Sequence, residues 1–239
     1  MKAIWHNIYN ELREEIEDGT YPFQSMLPSE AVLVERFGCS HNTVRKAISV
    51  LTDEGYVQPI HGKGVRVIHQ PRERALFEVG GIETFDESME RMHINSITRV
   101  ACFERIETDE GLAQLTGFAP GSELFHIDRV RVIDDEAVIR DENYFLATIA
   151  PGLTKEIAEQ SIYRYLEQDL GVSIGQCRRE ITVEKAIKHD YELLDLEEGV
   201  YLAVVTSQTF TADGEMFERT ESRHRPDRFA FQTVARRKT

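Results

Sequence analysis

The sequence predicts two α+β domains: a winged helix-turn-helix over residues 1–69 and a mostly antiparallel sheet domain over residues 81–239, joined by a linker at 70–80. Three observations carry this reading. Leu27-Pro28-Ser29-Glu30 and Ser40-His41-Asn42-Thr43-Val44 each place a capping serine ahead of a helical segment. Two short β-prone runs then flank a glycine-bearing tip, His61-Gly62-Lys63-Gly64, as in a hairpin. Beyond the polar stretch His69-Gln70-Pro71-Arg72-Glu73-Arg74, strand-like runs dominate.

The elements follow in chain order. Ile4, Ile8, Leu12 and Ile16 recur at helical spacing, which predicts an amphipathic first helix in place of the apolar core of a signal peptide. In the second helix Ser29 caps the N-terminus, Ala31, Val32 and Leu33 supply an apolar stripe, and Gly38 provides a left-handed stop. In the third, Ser40 is the cap and Val44, Ala47, Ile48 and Leu51 form the buried face. His41, Asn42, Thr43 and Arg45 crowd its first turns, the end that a recognition helix pushes into the major groove of double-stranded DNA. Asparagine and arginine can contact adenine and guanine edges in bidentate fashion, whereas serine, threonine and a helix N-terminus suit phosphates. Lys46 is expected to contact the DNA backbone. In the wing, Tyr56 to Ile60 and Val65 to Ile68 are the strands, and Pro59 makes its strand an edge. His61, Gly62 and Lys63 at the tip let the main chain approach a groove wall and offer a cation there.

The formal charge of −14, taken alone, argues against a nucleic-acid partner, but its distribution does not. Residues 1–75 hold 9 Lys/Arg and 10 Asp/Glu, residues 76–239 hold 19 and 32, and residues 36–72 hold 6 and 2. A locally basic reader attached to an acidic remainder makes DNA binding depend on the specific site and on salt. No run of about 18 apolar residues exists, so no membrane span and a cytoplasmic location are expected. Cys39, Cys102 and Cys177 are far apart and lack histidine at ligand spacing, so neither a disulfide framework nor a zinc site is expected, and no cofactor.

In the second domain the strand-like runs are Thr98 to Ile106, Leu124 to Ile133, Ala137 to Phe145, Glu180 to Ala186, Tyr201 to Phe210 and Phe217 to His224. Helical segments lie near Glu110 to Leu115, Ile162 to Leu170 and His189 to Leu194. Asp134-Asp135 and Asp213-Gly214 read as turns between successive strands, hence the antiparallel α+β assignment. No nucleophile or paired acid and base stands out, so no catalytic residues are assigned and an enzyme is not expected.

The chain resembles the GntR superfamily of bacterial repressors, in particular its HutC-type branch, whose effector (UTRA) domain has a chorismate-lyase-like fold. The resemblance rests on Leu27-Pro28-Ser29-Glu30, Thr43-Val44-Arg45-Lys46-Ala47 and Gly62-Lys63-Gly64, then on Arg129-Val130-Arg131, Ser161-Ile162-Tyr163 and Glu221-Ser222-Arg223-His224-Arg225. Within that branch, Leu153-Thr154-Lys155-Glu156-Ile157 with the last two motifs is similar to the trehalose operon repressors of Gram-positive bacteria, which trehalose 6-phosphate releases. The resemblance implies DNA contacts at Ser29, Ser40, His41, Asn42, Thr43, Arg45, His61 and Gly62. His41 stands where many relatives have arginine, which leaves the operator sequence open.

A sugar phosphate needs cations or amides for its dianion and carboxylates or amides for its hydroxyls. Arg129 and Arg131, two apart on a strand, share a face. Ser161 opens a helix whose free amides suit an anion, and Tyr163 lies on the same turn. The resemblance places these four in the effector pocket, together with Asp141, Glu218 and Thr84. A two-residue Asp134-Asp135 turn would set Arg129 opposite Arg140; a three-residue turn ending at Glu136 would set it opposite Asp141, and the opposite charges favour the second.

The resulting expectation is a homodimeric repressor of a sugar-utilisation operon, the trehalose operon foremost. A sugar phosphate would release it by preferring the arrangement that does not bind DNA, through the linker near Pro71. Glucosamine 6-phosphate or a non-sugar metabolite is the alternative effector. A purely architectural DNA binder would leave the acidic domain without a purpose.

Overall fold

The computed structural model describes residues 4–70, 76–78, 82–228 and 230–232. Two compact units divide the chain near residues 73 and 74, and each is described by itself. Pro71 and the rest of the expected linker from 71 to 75 lie outside the described residues. Within 70–80, Leu76–Glu78 is not simple linker: it pairs as a parallel strand with Ala230–Gln232. Among the described residues no helix is long and apolar enough to cross a membrane.

Among the described residues the first unit has three helices, α1 (Ile4–Glu17), α2 (Glu30–Phe37) and α3 (His41–Asp53), and a hairpin of β1 (Val57–Ile60) and β2 (Gly64–Val67). Ile8, Leu12 and Ile16 of α1 meet Val44, Ala47, Ile48 and Leu51 of α3 in one core, while Ile4 is exposed. Ser29 accepts a hydrogen bond from the Val32 amide at 3.4 Å, Ser40 accepts from Thr43 at 3.3 Å, and Gly38 closes α2 at φ 58°. The expected stripe Ala31, Val32, Leu33 is corrected. Only Leu33 is buried, because three successive residues fan through some 200° of a helix surface, and Val34 and Phe37 complete the packing face. β2 bonds to β1 on one side and to the segment around Met26 on the other, with Leu27 donating to the Val65 carbonyl at 2.8 Å. Pro59 therefore sits on the outer strand, where its missing N–H is tolerated.

The second unit is built on a six-stranded antiparallel sheet in the order β4-β5-β6-β9-β8-β7. These strands are β4 (Ser96–Glu107), β5 (Glu123–Ile133), β6 (Glu136–Leu146), β7 (Ile174–Lys185), β8 (Tyr201–Thr211) and β9 (Met216–His224), with β3 (Leu76–Glu78) and β10 (Ala230–Gln232) as the small parallel pair. On one face α4 (Phe85–Arg91) packs Met89 near Ile133 and Ile139, while the segment containing α6 (Lys155–Ala158) and α7 (Ile162–Arg164) packs Ile162 and Leu166 near Phe145 and Phe217. The opposite face carries α8 (Lys188–Leu193), followed by Leu194, over Val130, Leu202 and Val204. α5 (Glu110–Thr116) follows β4 and is capped by Asp109.

Three sequence expectations are corrected here. The helix expected over Ile162 to Leu170 is α-helical only for Ile162–Arg164 and continues as a π-turn, Tyr165–Asp169, so the helix-dipole argument for an anion at Ser161 loses most of its force. β7 starts at Ile174, six residues before the expected Glu180. α4 was not anticipated, although Thr84-Phe85-Asp86-Glu87 is a capping box: the Glu87 amide donates to Thr84 Oγ1 at 3.2 Å and the Thr84 amide to Glu87 Oε2 at 2.8 Å.

The β5–β6 hairpin resolves the register in an unexpected way. Asp134 and Asp135 have φ of 51° and 65°, as a two-residue type I′ turn requires, and Ile133 pairs with Glu136. That turn alone would set Arg129 opposite Arg140. A β-bulge at Val138 then shifts the ladder by one, so Arg129 pairs with Asp141 after all.

Candidate functional site

The first unit presents the start of α3 and the wing tip as exposed surface. His41, Asn42 and Arg45 are exposed there, and Arg45 Nε donates to both Glu30 carboxylate oxygens at 3.1 and 3.0 Å. His41 Nδ1 stands 3.6 Å from the same carboxylate. Glu30, at the first turn of α2, thus steadies the Arg45 fork beside the tip of α3. The hydroxyls of Ser40 and Thr43 lie 2.8 Å apart. Lys46 lies on the flank, with its ammonium 4.8 Å from the centre of the Trp5 ring in a cation–π contact. At the wing, His61, Gly62 and Lys63 are all exposed. Gly62 has φ +69° with nothing within 4 Å of an added Cβ, so conformation and not space selects glycine. Arg36, counted in the basic stretch, bonds to Glu11 and Glu15 of α1, which leaves the cationic surface smaller than the sequence count implies.

In the second unit the strands between α4 and α7 form the floor of a cavity of about 960 Å³, including its opening to solvent. The structure brings all seven sequence-predicted residues, Thr84, Arg129, Arg131, Asp141, Ser161, Tyr163 and Glu218, to its wall. Strand alternation explains the floor: Arg129 and Arg131 on β5, Asp141 and Asn143 on β6, and Glu218, Thr220 and Ser222 on β9 share one face.

Two hydrogen-bonded chains organise this floor. Arg131 Nε donates to Asp141 Oδ2 at 2.8 Å and Nη1 to Thr98 Oγ1 at 2.7 Å, its guanidinium lies over Phe85, and Ser222 donates to Asp141 Oδ1 at 2.6 Å. The ion pair is therefore diagonal, Arg131 with Asp141, although Arg129 is the residue directly across. Arg129 Nε donates to Asn143 Oδ1 at 2.8 Å, Asn143 to Thr220 at 2.7 Å, and Thr220 to Glu218 Oε1 at 2.7 Å. Glu218 Oε2 accepts from Thr209 at 2.9 Å and from the Tyr163 hydroxyl. Burial, with Arg131 adding to it, lowers the Arg129 pKa to about 10. Burial would raise that of Asp141, but Arg131 and Arg129 outweigh it and hold the carboxyl below its ordinary value. Burial and then Glu218 push Tyr163 far up, so it is a neutral donor. Two adjacent guanidiniums in a buried site suit an anion, and the ring of hydroxyl, amide and carboxylate groups suits a polyol.

Sequence reading missed Asn143, Thr209, Thr220, Ser222, Cys177 and Arg179, all of which line the cavity. The polar alternation Ser207, Thr209 and Glu218, Thr220, Ser222 was the available signal. His224, also on the wall, is buried, and burial pushes its pKa down to about 4 despite Asp141. Its neutral form is thus favoured in the folded state. The stability this contributes is complete above the unfolded value of about 6.5 and falls as pH drops from there to about 4. Relative to His224→Gln, the wild type is expected to lose about 2 kcal/mol between pH 7 and pH 5 in urea unfolding. Parallel stability profiles for the two proteins would refute this.

A winged helix with an exposed polar and cationic tip, on one chain with a domain that encloses a buried cationic cavity, defines a ligand-responsive DNA-binding regulator. The chain belongs to the gntR family of bacterial regulatory proteins, which matches residues 5–67, and carries a UTRA domain over residues 91–230. It is 39% identical to the transcriptional regulator TreR of Bacillus subtilis over 96% of both chains. It is also 26% identical to the mannosyl-D-glycerate system repressor MngR of Escherichia coli, over 100% of this chain and 98% of that one. Among solved structures, the effector-binding domain of the B. subtilis trehalose repressor is 39% identical, covers 60% of this chain and 99% of its own, and has a TM-score of 0.55. YydK of B. subtilis, 20% identical, shares the fold over 98% of this chain and 100% of its own with a TM-score of 0.84. The protein is a transcriptional repressor of the GntR/HutC type, and regulators of this kind bind operator DNA and small-molecule effectors. The family is one of regulators, not enzymes.

Proposed function

We propose that this repressor controls a trehalose-utilisation operon and is released from operator DNA by trehalose 6-phosphate. The observation that carries the reading is the buried Arg129–Arg131 pair beside the polar ring of Asp141, Asn143, Thr220 and Glu218: cations for a phosphate, then acceptors and donors for sugar hydroxyls. The 39% identity to a trehalose repressor over nearly the whole chain supports the same ligand. DNA contacts are assigned to Ser29, Ser40, His41, Asn42, Thr43, Arg45 and Lys46 and to the wing residues His61, Gly62 and Lys63.

Two recognition helices on a palindromic site require a homodimer. Ile181, Val183 and Tyr201 support self-association, since they share one sheet face at the β7 edge and are 43%, 72% and 57% exposed. A monomer in sedimentation at operator-binding concentrations would remove that part. The effector is tested by thermal shift of the full chain with trehalose 6-phosphate, glucose 6-phosphate, glucosamine 6-phosphate and trehalose. The largest shift is expected with the first and almost none with the unphosphorylated sugar. A larger shift with glucosamine 6-phosphate would instead assign Glu218 and Asp141 to an ammonium group.

A further inference from the structure

On the sheet face opposite the effector cavity, Cys102 and Glu104 of β4 stand beside His126 of β5, and one ligand atom from each lies within 4.8 Å of the other two. A β-bulge makes this possible. Thr98 and Val100 pair with Arg131 and Arg129 on the cavity side, and strict alternation would send Cys102 there too. The register shift after Val100 pairs Cys102 with Asp128 and Glu104 with His126, which turns both side chains to the far face. Phe103 turns the other way and packs on Phe125.

His126 is held in place from three sides. Its ring stacks on Tyr144 with centroids 4.8 Å apart, Nδ1 lies 2.8 Å from Glu104 Oε1, and Nε2 lies 3.2 Å from Glu142 Oε1. A neutral imidazole has one N–H and can donate to only one of these carboxylates. Two arrangements satisfy both contacts: the imidazolium, which the two carboxylates favour, and a metal cation that binds the Nδ1 lone pair and the Glu104 carboxylate while Nε2–H donates to Glu142. The second is the carboxylate–histidine–metal arrangement in which an outer carboxylate fixes the ring. The third atom within reach is the Cys102 sulfur.

We propose that Cys102 Sγ, Glu104 and His126 Nδ1 form a Zn2+ site, with Glu142 orienting the histidine. The donor set of thiolate, imidazole and carboxylate suits zinc and excludes the hard cations, which take oxygen ligands alone. Tetrahedral zinc sets its ligand atoms roughly 3.5 Å apart, so side-chain rotation of the exposed Glu104 closes the set. Binding releases the thiol proton to solvent. Half-buried Cys102 and His126 leave a fourth position for water. The site ties edge strand β4 to β5, four residues along from Thr98, which holds Arg131 in the cavity on the other face.

The test is titration of the full-length, reduced, metal-free protein with Co2+ and then Zn2+. One equivalent of Co2+ per chain should give a thiolate-to-cobalt charge-transfer band that Zn2+ abolishes. Cys102→Ser should lose the band, and Cys39→Ser and Cys177→Ser should keep it. Glu104→Gln, on an exposed side chain and therefore safe for folding, should weaken Zn2+ binding at least tenfold. No band in the wild type, a band that survives Cys102→Ser, or unchanged Zn2+ affinity in Glu104→Gln would each overturn the assignment.

Discussion

Arg129→Met is expected to leave operator binding intact and to raise the sugar phosphate concentration needed for release by roughly 100-fold. Among the described residues the one hydrogen bond from this side chain is Nε to Asn143, so its two amino groups remain for a ligand. Two charge-assisted bonds to a phosphate contribute about 1.5–3 kcal/mol each, and losing about 3 kcal/mol corresponds to that factor. Methionine keeps the apolar stem and breaks no direct ion pair, because the hydrogen-bond partner is a neutral amide and Asp141 keeps its pair with Arg131. Arg131→Ala is a different experiment. It strips Asp141 of its ion pair inside the protein, which costs about 3–5 kcal/mol of stability, so loss of response there is inseparable from damage to the fold. Operator anisotropy with increasing trehalose 6-phosphate, alongside urea unfolding, separates the two. Release of Arg129→Met at the wild-type concentration would show that the phosphate binds elsewhere.

Arg45→Ala should weaken operator binding on the order of 100-fold or more while leaving the thermal shift with effector unchanged. A bidentate contact to a base contributes about 1–3 kcal/mol, and a homodimer makes it twice. The ion pair with Glu30 must be broken or shared on binding, but at an exposed side chain it offsets only about 0–1 kcal/mol of this. Gel shifts at fixed salt report the loss. Near-wild-type operator binding by Arg45→Ala would move recognition to His41, Asn42 or the wing.

The winged domain was legible because each of its signals is local. Ser29, Ser40, Gly38 and the spacing of Val44, Ala47, Ile48 and Leu51 fix helix ends and faces within a turn or two of chain. The effector domain was legible as strands and as a residue set, for different reasons. Strand runs show in composition, whereas Asp141, Glu218 and Thr84 came from the family resemblance and could not be assembled from spacing. What the sequence hid depends on register. Asn143, Thr220 and Ser222 join the arginines only once β6 and β9 are aligned, and Cys102 meets His126, 24 residues on, only across a bulged ladder. The break of the helix after Arg164 into a π-turn leaves no mark in the apolar periodicity of Ile162 and Leu166.

The bulge at Val138 gives the β5–β6 hairpin something like a reading frame. Residues could be inserted at the Asp134–Asp135 tip at little thermodynamic cost, since a longer surface loop adds only slowly to closure entropy. Straightening the bulge at unchanged chain length is another matter. It would slide β6 by one position, set Arg140 against Arg129, and deliver Glu142 and Tyr144 to the sensing face in place of Asp141 and Asn143. Descendants of this chain should therefore tolerate added residues at the turn, whereas four residues later the register itself must be kept, a boundary drawn by backbone geometry and invisible in the chemistry of the side chains.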